Sequence, residues 1–341
     1  MNCTFKETSN NLNYMCGILL SNYKSKKFKK ALISQSYRGP DGHKIINSNN
    51  INMGFNYLSI TGRQKNYLQP YVFKNLHLLF NGEIYNFKSL NLEIKKIDNN
   101  FDSDSDTKTL INYFYYFGVK KTLSDIRGMW SICLLNTDNN SLYVSRDRLG
   151  IKPLFYYKKK EKFIFSSSIK SIKCLVKNLT LNKNYLKKYL VSGDLDYSKR
   201  TVFKEIFNFP SSSYLKINLK KKFTSFKFIK YWQLNFSEKN DLSKTKLLKN
   251  KIDNCINLHT DSQKRIKSLI TLSGGLDSTY IQSKNISQNF ISMSISGKDF
   301  NSELNNIKKF VKKKKCNHNF LNLNRKDLKI GNLIKFVKNL D

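Results

Sequence analysis

The arrangement of apolar and polar residues along the chain changes near residue 240. Before it, short apolar runs separated by polar clusters predict hairpins, one in "MWSICLL", "NTDNNS", "LYVSRD" and one in "KPLFYY", "KKKEK", "FIFSSS". Between the earlier strands, "DTKTLINYFYYFGV" has apolar residues at helical spacing and a glycine near its end. The first part of the chain is therefore predicted to be α+β.

After residue 240 the pattern alternates between strand, loop and helix. The segments are "SLITL", "SGGLDS", "TYIQSKNI", "FISMSIS", "SELNNIKKFVKKKK", "HNFLNLN" and "DLKIGNLIKFVKNL". Such alternation predicts a parallel sheet wrapped by helices. With 341 residues the chain exceeds the ~250–300 residues at which single cores stop growing, so we expect two domains. The run "KKKK" at 312–315 is interpreted as an exposed helix end.

Composition limits the classes of partner. A formal net charge of +37 would suit nucleic acid, but the lysines are spread along the chain among many Asn and Ile residues, so nucleic acid is not expected as a ligand. The six cysteines lie far apart without a C-x-x-C pair, which indicates neither zinc nor a disulfide framework. No apolar run reaches the ~18 residues of a membrane span. We therefore expect a cytoplasmic protein in a reducing compartment, with no membrane partner.

The stretch "TLSGGLDST", residues 271–279, lies where a predicted strand ends and a helix begins. Backbone amides converge at such a junction and favour an anion, so the loop is predicted to hold phosphate. It lacks the lysine of the common P-loop, and its glycines and serines let main-chain N–H groups approach a pyrophosphate. A plain glycine-rich turn is the alternative. Asp277 is interpreted either as a contributor to a Mg²⁺ site or as a helix-capping carboxylate.

A second chemical pattern is "FNGEIYN", residues 80–86, which follows an apolar strand. Asn81 and the Gly82 amide are candidates for an oxyanion hole, and Glu83 for binding a substrate ammonium. A simple turn is the alternative, since N-G is a common turn pair. The loops "YRGPDG" (37–42) and "SRDRLGIKPLFY" (145–156) are interpreted mainly as rigid scaffolding around a site.

Cys16, in "NLNYMCGILL", follows an internal methionine. A thiol at a chain terminus has its own α-amine within reach, and this amine, with a reference pKa near ~7.7–8.0, can act as general base without a histidine. A buried structural cysteine is the alternative, and the presence of "FNGEIYN" favours the nucleophile.

In order, "MCGI", "RGPDG", "FNGEIYN", "SDT", "SRDRLGIKPLFYY" and "LSGGLDST" resemble glutamine-hydrolysing asparagine synthetase, a class II glutamine amidotransferase. The resemblance extends through "YLVSG" and "YWQL". It implies an α+β N-terminal nucleophile domain, an αββα sandwich, over 16–180, a connector over 181–239, and the first part of an α/β parallel-sheet ATP-pyrophosphatase domain over 240–341. Residues 1–15 would be a leader or a mis-assigned start, with Met15 as the true start favoured over a cleaved propeptide.

The resemblance also implies residue roles. Cys16 would attack the glutamine amide, Asn81 and Gly82 would stabilise the oxyanion, and Glu83 and Asp106 would hold the substrate α-amine. Further substrate contacts are implied for Leu58 and Ile60. MgATP would bind at Thr271, Leu272, Ser273, Gly274, Gly275, Asp277, Ser278 and Ile295, where aspartate is adenylated and ammonia displaces AMP.

Three departures from the family pattern qualify this picture. Tyr57 stands where the family has an arginine for the glutamine carboxylate, and Ser168 replaces a usual glutamate. The sequence also stops within the synthetase region, which indicates a fragment, a split gene product, or a partner: a homodimer or a second chain that supplies the remainder. The alternatives left open are an amidotransferase for another carboxylate, such as a sugar acid, and a catalytically silent binding module.

Overall fold

A computed structural model describes residues 16–58, 68–193, 199–222, 225–235, 245–261, 268–286, 290–296 and 303–322. The chain divides into two compact units, the first running to Asn235 and the second from Phe236 to Leu340. Three features of the sequence analysis lie outside the described residues: the segment 1–15, Ile60, and the helix predicted in "DLKIGNLIKFVKNL".

The first unit contains two six-stranded sheets. The first sheet has the order β10-β8-β9-β1-β3-β2 and the second the order β12-β11-β7-β6-β5-β4, and all their pairings are antiparallel. The strands are β1 (Gly17–Ser21), β2 (Gly42–Ser48), β3 (Ile51–Tyr57), β4 (Tyr71–Phe73), β5 (Leu76–Ile84), β6 (Gly128–Asn136), β7 (Ser141–Arg146), β8 (Phe155–Lys159), β9 (Lys162–Ser166), β10 (Ile206–Asn208), β11 (Ser213–Asn218) and β12 (Ile229–Lys230). Both predicted hairpins are confirmed, as β6–β7 and β8–β9.

Helices cover the outer face of each sheet. They are α1 (Phe28–Ile33), a 3₁₀ turn (Ser36–Arg38), α2 (Phe87–Lys95), α3 (Asp106–Asp125), α4 (Ile169–Leu175) and α5 (Lys183–Ser192). Helices α1 and α4 pack on the first sheet, and α3, with α2 beside it, on the second. The predicted helix of "DTKTLINYFYYFGV" continues further than expected, because helical geometry resumes after Gly118 (φ 74°) and buries Thr122 and Leu123. The unit is the αββα sandwich that the resemblance implies.

The strands near the centre of the sandwich are apolar on both sides, which the alternation of side chains explains. In β1, Ile18 and Leu20 join the core between the sheets, while Leu19 faces the core shared with α1 and α4. In β5, Leu79 points between the sheets, whereas Leu78 packs in the core with α2 and α3. A strand buried on both faces therefore appears in the sequence as a continuous apolar run such as "GILL".

The segment assigned to a connector contributes to the sandwich. Strand β10 pairs with β8 in the first sheet, and β11 pairs with β7 in the second. The compact unit reaches Asn235, so much of 181–239 belongs structurally to the first unit.

The second unit contains a three-stranded parallel sheet in the order β13-β14-β15. Its elements are α6 (Thr245–Asp261), β13 (Ser268–Thr271), α7 (Leu276–Lys284), β14 (Phe290–Ser296), α8 (Leu304–Lys314) and β15 (His318–Asn322). The predicted strand–helix alternation is confirmed over these residues, and the lysines that end α8 are exposed. None of the helices in the described ranges combines the length and hydropathy that a bilayer span requires.

Candidate active site

Cys16 directly precedes β1, whose neighbours in the first sheet are β9 and β3. The residue is half-buried and, like Tyr57, packs against the core between the sheets. Burial raises the pKa of the Cys16 thiol, while a hydrogen bond with the backbone of Leu58 and the nearby cation Lys152 act in the opposite direction. The thiol thus lies in a partly desolvated environment that contains charges of both signs.

Asn81 lies in the centre of β5 and is 1% exposed. Its Nδ2 is 3.5 Å from the hydroxyl of Ser167, and the same hydroxyl accepts a hydrogen bond from the Ile18 amide at 3.1 Å. The Ser167 amide donates in return to the Ile18 carbonyl at 3.0 Å. Ser167 therefore connects the candidate oxyanion-hole asparagine to the backbone two residues after Cys16, and the two sheets meet at this point.

Gly82 is fixed by a close backbone approach. A Cβ atom at this position would overlap the Met129 carbonyl and would lie 2.8 Å from Cα of Trp130. Only glycine fits here without displacement of β6. On the preceding side, the Gln69 amide side chain donates to the Phe80 carbonyl at 2.9 Å and accepts from the Phe80 amide. These contacts fix the course of the backbone on either side of Asn81.

Two carboxylates, Asp106 and Glu83, interact electrostatically with each other. Asp106 is the first residue of α3, and its Oδ2 accepts a hydrogen bond from the Ile84 amide at 3.1 Å. Burial, together with the neighbouring charge of Glu83, raises the pKa of Asp106 to about 6. Asp106 also interacts electrostatically with Cys16. A cation that contacted both carboxylates would relieve their mutual repulsion, so the pair is suited to an ammonium group.

Tyr57 and Ser168 occupy the positions at which the sequence departs from the family pattern. Tyr57 ends β3 and pairs with Gly42, at which an added Cβ would collide with the phenol ring. Ser168 is buried, caps α4 by accepting from the Lys170 amide at 3.2 Å, and accepts from the Tyr37 hydroxyl at 3.2 Å. Ser168 therefore has a local structural role in the first unit.

Arg38, Lys152 and Ser167 belong to the site although the sequence analysis did not single them out. Arg38 is 4% exposed, and its Nε lies 3.5 Å from the Cys16 carbonyl oxygen. Lys152 is 8% exposed and interacts electrostatically with Cys16 and Glu83. Both cations come from the loops interpreted as scaffolding, and a basic residue inside a turn-rich segment was the signal that could have identified them.

Asp147 and Arg146 organise the loop that carries Lys152. The fully buried Asp147 carboxylate accepts hydrogen bonds from the amides of Trp130, Leu149, Ile151 and Lys152 at 2.9–3.2 Å. The Arg146 guanidinium donates to the carbonyls of Lys152, Gly150 and Phe209 at 2.7–2.9 Å. These charged side chains satisfy buried backbone groups and so fix the course of the loop.

In the second unit, the loop 272–275 connects the end of β13 to the start of α7. Gly274 has φ 86°, a conformation that favours glycine. The Ser273 hydroxyl is 3.1 Å from that of Ser278 and accepts from the Gly275 amide at 3.3 Å. The loop is thus curved by hydrogen bonds to its own hydroxyl groups, and its amides point to the inside of this curve.

The other residues assigned to nucleotide binding lie around this loop. Thr271 ends β13, Leu272 is buried and its amide donates to the Met293 carbonyl at 2.8 Å, and Asp277 is exposed in the first turn of α7. Ile295, on β14, is 47% exposed. Within the described ranges, no group of three His, Cys, Asp or Glu side chains is placed to hold a metal ion. The strand–loop–helix geometry is nevertheless suited to a phosphate group.

The glutamine amidotransferase domain family matches residues 15–232. The chain belongs to this family. The first unit is accordingly a glutamine amidotransferase domain of the kind found in asparagine synthetase-like proteins.

Relatives include glutamine-hydrolysing asparagine synthetase 1 of Bacillus subtilis, 30% identical over 72% of this chain and 38% of that protein. Asparagine synthetase 2 of the same organism is 35% identical over 40% of this chain and 18% of that protein. The asparagine synthetase of Rattus norvegicus is 30% identical over 35% of this chain and 22% of that protein. The chain thus spans well under half the length of these relatives. Among solved structures, an allosteric regulatory enzyme of purine biosynthesis is similar over 64% of this chain and 50% of that one, with a TM-score of 0.49 and 16% identity.

Proposed function

We propose that this chain hydrolyses the side-chain amide of glutamine with Cys16 and delivers the ammonia to an ATP-activated aspartate. The observation that carries the proposal is the grouping around Cys16. The oxyanion-hole candidate Asn81 is linked to β1 through Ser167, and Asp106, which interacts electrostatically with Glu83, also interacts with Cys16. Family membership supports the glutaminase part directly, and the similarity to asparagine synthetases supports the acceptor.

In the first step, the Cys16 sulfur bonds to the glutamine amide carbon. The α-amine of Cys16 takes the thiol proton and passes it to the leaving nitrogen, so that the C–N bond breaks and ammonia is released. The Nδ2 of Asn81 and the amide of Gly82 stabilise the negative oxygen during attack. Water then adds to the γ-glutamyl thioester, the C–S bond breaks, and glutamate leaves with the thiol restored.

This mechanism requires Cys16 to be the first residue of the active protein. In a peptide bond, the Cys16 nitrogen has no basic lone pair and cannot accept the thiol proton. We propose that translation begins at Met15, whose removal exposes Cys16; cleavage after Met15 is the second route.

For the second unit, we propose that MgATP binds at the loop 272–275. The N-terminus of α7 and the left-handed Gly274 support an anion at this point. The phosphates would replace the hydroxyl contacts that the loop now makes with itself, and Thr271, Leu272 and Ile295 would contact the nucleoside. Asp277 would hold Mg²⁺ together with the phosphates themselves.

The proposed setting is a cytoplasmic enzyme whose proposed partner is a second copy of this chain or another chain. The cysteines of the described residues are free thiols, which supports a reducing compartment. A second candidate function is that of a catalytically silent module of the same fold, and Tyr57 favours it, because a phenol cannot make a bidentate contact with the glutamine carboxylate. Another acceptor, such as a sugar-acid carboxylate, is compatible with the same glutaminase chemistry.

Glutamate release tests the proposal, with Cys16→Ala as the control variant. We expect glutamate and ammonia in equal amounts from the wild-type protein and none above background from Cys16→Ala. Absence of glutamate release by a protein that begins at Cys16 would support the silent module. Addition of aspartate and MgATP then tests the acceptor, since adenylation and amidation yield AMP and asparagine together.

A further inference from the structure

The Ser167 hydroxyl connects the two sheets of the first unit at the candidate oxyanion hole. Ser167 follows β9 of the first sheet, and its Oγ lies 3.5 Å from Nδ2 of Asn81 on β5 of the second sheet. The two residues are 0% and 1% exposed. Among the described residues, this hydroxyl is the hydrogen-bond partner of the Asn81 side-chain amide. The orientation of the amide therefore depends on where Ser167 is held.

Ser167 is itself fixed to the start of β1. Its amide donates to the Ile18 carbonyl at 3.0 Å, and its hydroxyl accepts from the Ile18 amide at 3.1 Å. The Ile18 carbonyl also accepts from Nε2 of the fully buried Gln35 at 3.1 Å. Because β1 directly follows Cys16, the hydroxyl that contacts Asn81 is attached to the backbone next to the proposed nucleophile.

The backbone of Asn81 is held by contacts that do not involve Ser167. Asn81 is opposite Ser131 in the β5–β6 ladder. On the preceding residue, the Gln69 side chain bonds both the amide and the carbonyl of Phe80. Loss of the Ser167 hydroxyl should accordingly release the side-chain amide of Asn81 while β5 keeps its position.

The number of hydrogen bonds that each group can make assigns a direction to this amide. A serine hydroxyl can accept two hydrogen bonds, and a side-chain amide nitrogen can donate two. The Ile18 amide and one Nδ2 proton of Asn81 use the two acceptor positions of Ser167. The other Nδ2 proton remains for a substrate oxygen. An amide turned by half a rotation would present its oxygen instead, and that oxygen would repel an oxyanion.

We propose that Ser167 is a positioning residue that orients the Asn81 amide, with one Nδ2 proton on the serine hydroxyl and the other directed at the oxyanion formed from the glutamine amide. The inference deepens the proposed glutaminase function and rests on it for its role in catalysis. The orientation of Asn81 is a structural property, so it can be measured without glutamine.

A double-mutant comparison of glutamate release tests how Ser167 acts. Ser167→Ala should lower kcat by about three- to tenfold, the usual effect of one lost hydrogen bond, and leave KM within about twofold. In the Asn81→Ala background the same substitution should lower kcat no further, because the group that Ser167 positions is gone. Ser171→Ala removes another fully buried hydroxyl of the first unit, which donates to the Ala31 carbonyl, and as the control it should retain the wild-type kcat.

Two kinetic outcomes would overturn the proposal. One is a wild-type kcat in Ser167→Ala, and the other is an equal loss of kcat from this substitution with and without Asn81. Iodoacetamide labelling of the fully buried Cys133 reports unfolding of any variant. If Cys133 becomes reactive in Ser167→Ala, Ser167→Cys replaces it under the same criteria, because a thiol is similar in size and only a weak hydrogen-bond acceptor.

Crystal structures of wild type and Ser167→Ala without substrate separate this inference from the proposed function. We expect one orientation of the Asn81 side chain in wild type and a rotated or second orientation in Ser167→Ala. An Asn81 side chain that keeps its wild-type orientation in the variant overturns the proposal at any measured rate. If wild type releases no glutamate but the amide turns in Ser167→Ala, the orienting role of Ser167 is supported and the proposed function is contradicted.

Discussion

The two units of this chain differ in how completely they bury their apolar residues. The sandwich has three clusters of buried side chains, one between its sheets and one under each helical layer. In the described part of the second unit, the buried apolar side chains are Leu272, Phe290, Leu304 and Ile307. One face of its sheet carries Leu269, Ile291, Met293, Ile295 and Leu321, as the parallel register shows.

Several residues of that face are largely exposed: Leu269 is 56%, Ile295 47% and Leu321 45% exposed. The opposite face of β14, by contrast, is buried and carries Ser292 and Ser294. Parallel sheets are normally covered on both faces, so the exposure of the apolar face is unusual. The candidate glutaminase site therefore lies in a unit with three buried clusters, while the candidate nucleotide loop lies beside a sheet that, among the described residues, has one partly exposed face.

The largest expected difference between the units is in their response to cavity formation. Leu78→Ala removes a fully buried side chain from the sandwich and should lower the free energy of unfolding by about 2–5 kcal/mol. Leu269→Ala removes an exposed one and should change stability by less than about 0.5 kcal/mol. Urea unfolding followed by tryptophan fluorescence reports on the first unit, which contains Trp130 and Trp232, and hydrogen exchange reports on the second. A comparable loss in Leu269→Ala would mean that this sheet face is covered.

Substitutions in the two units should also differ in their effect on the rate of glutamate release. Asn81→Ala should lower kcat for glutamate release by about 10²–10³-fold, because it removes one oxyanion donor. The matched change in the second unit, Asp277→Ala, should leave the glutaminase rate within about twofold, since the glutamine chemistry is assigned wholly to the sandwich. Steady-state kinetics with glutamine alone measures both. An equal loss of kcat in the two variants would contradict the assignment of glutamine hydrolysis to the first unit alone.

Within the first unit, Tyr57 is the position at which glutamine binding departs most from the family. Tyr57→Arg should lower KM for glutamine by about ten- to a hundredfold, because a charged, bidentate carboxylate contact contributes roughly 1.5–3 kcal/mol. Tyr57→Phe, which keeps the ring over Gly42, is the control and should leave KM unchanged. If Tyr57→Arg has an unchanged or raised KM, another group holds the carboxylate.

The smallest expected effect on glutamine binding is a dependence of KM on pH. The pKa of Asp106 is raised to about 6, so this residue loses its charge, and its attraction for the substrate ammonium, as pH falls through that value. KM should therefore rise below pH 6 by up to about tenfold per unit, and Asp106→Asn should abolish this dependence. A KM independent of pH between 5 and 7 in the wild type would exclude Asp106 as an ammonium ligand.

The sign of the stability effect follows from the same raised pKa. The folded protein holds its proton on Asp106 more tightly than the unfolded chain does, so this group makes stability fall as pH rises from about 4 to about 6. Asp106→Asn should accordingly be more stable than wild type at pH 8, by on the order of 3 kcal/mol, and similar to it at pH 3.5. Thermal unfolding at the two pH values measures the difference.

Much of the fold could be predicted from the sequence because its signals are local. Apolar runs joined by "NTDNNS" and "KKKEK" indicated two hairpins, and "SGGLDS" between an apolar strand and a predicted helix indicated the βα loop. The contribution of β10 and β11 to the two sheets could not be predicted in this way. Their pairing with β8 and β7 depends on residues about 50–75 positions apart, and no turn connects them directly.

The candidate site could be predicted from the sequence only where a short sequence pattern indicates one chemical role. Cys16, Asn81 and Glu83 stand in short patterns whose chemistry is recognisable. Ser167 does not, because its role arises from contacts across the sandwich: its hydroxyl accepts from the Ile18 amide and lies 3.5 Å from Nδ2 of Asn81. The same holds for Lys152, whose burial only the folded structure shows. Neither a serine nor a lysine is informative in a chain with 61 basic residues until its neighbours in space are known.

If Cys16 acts as an N-terminal nucleophile, glutaminase activity depends on whether any residue precedes Cys16. One preparation begins at Cys16 and another retains Met1–Met15, and glutamate release is measured for both after intact mass has confirmed each N-terminus. We expect the preparation that begins at Cys16 to hydrolyse glutamine and the one that retains Met1–Met15 to show no hydrolysis above background, because only a free α-amine can accept the thiol proton. Equal glutaminase activity in the two preparations would contradict it.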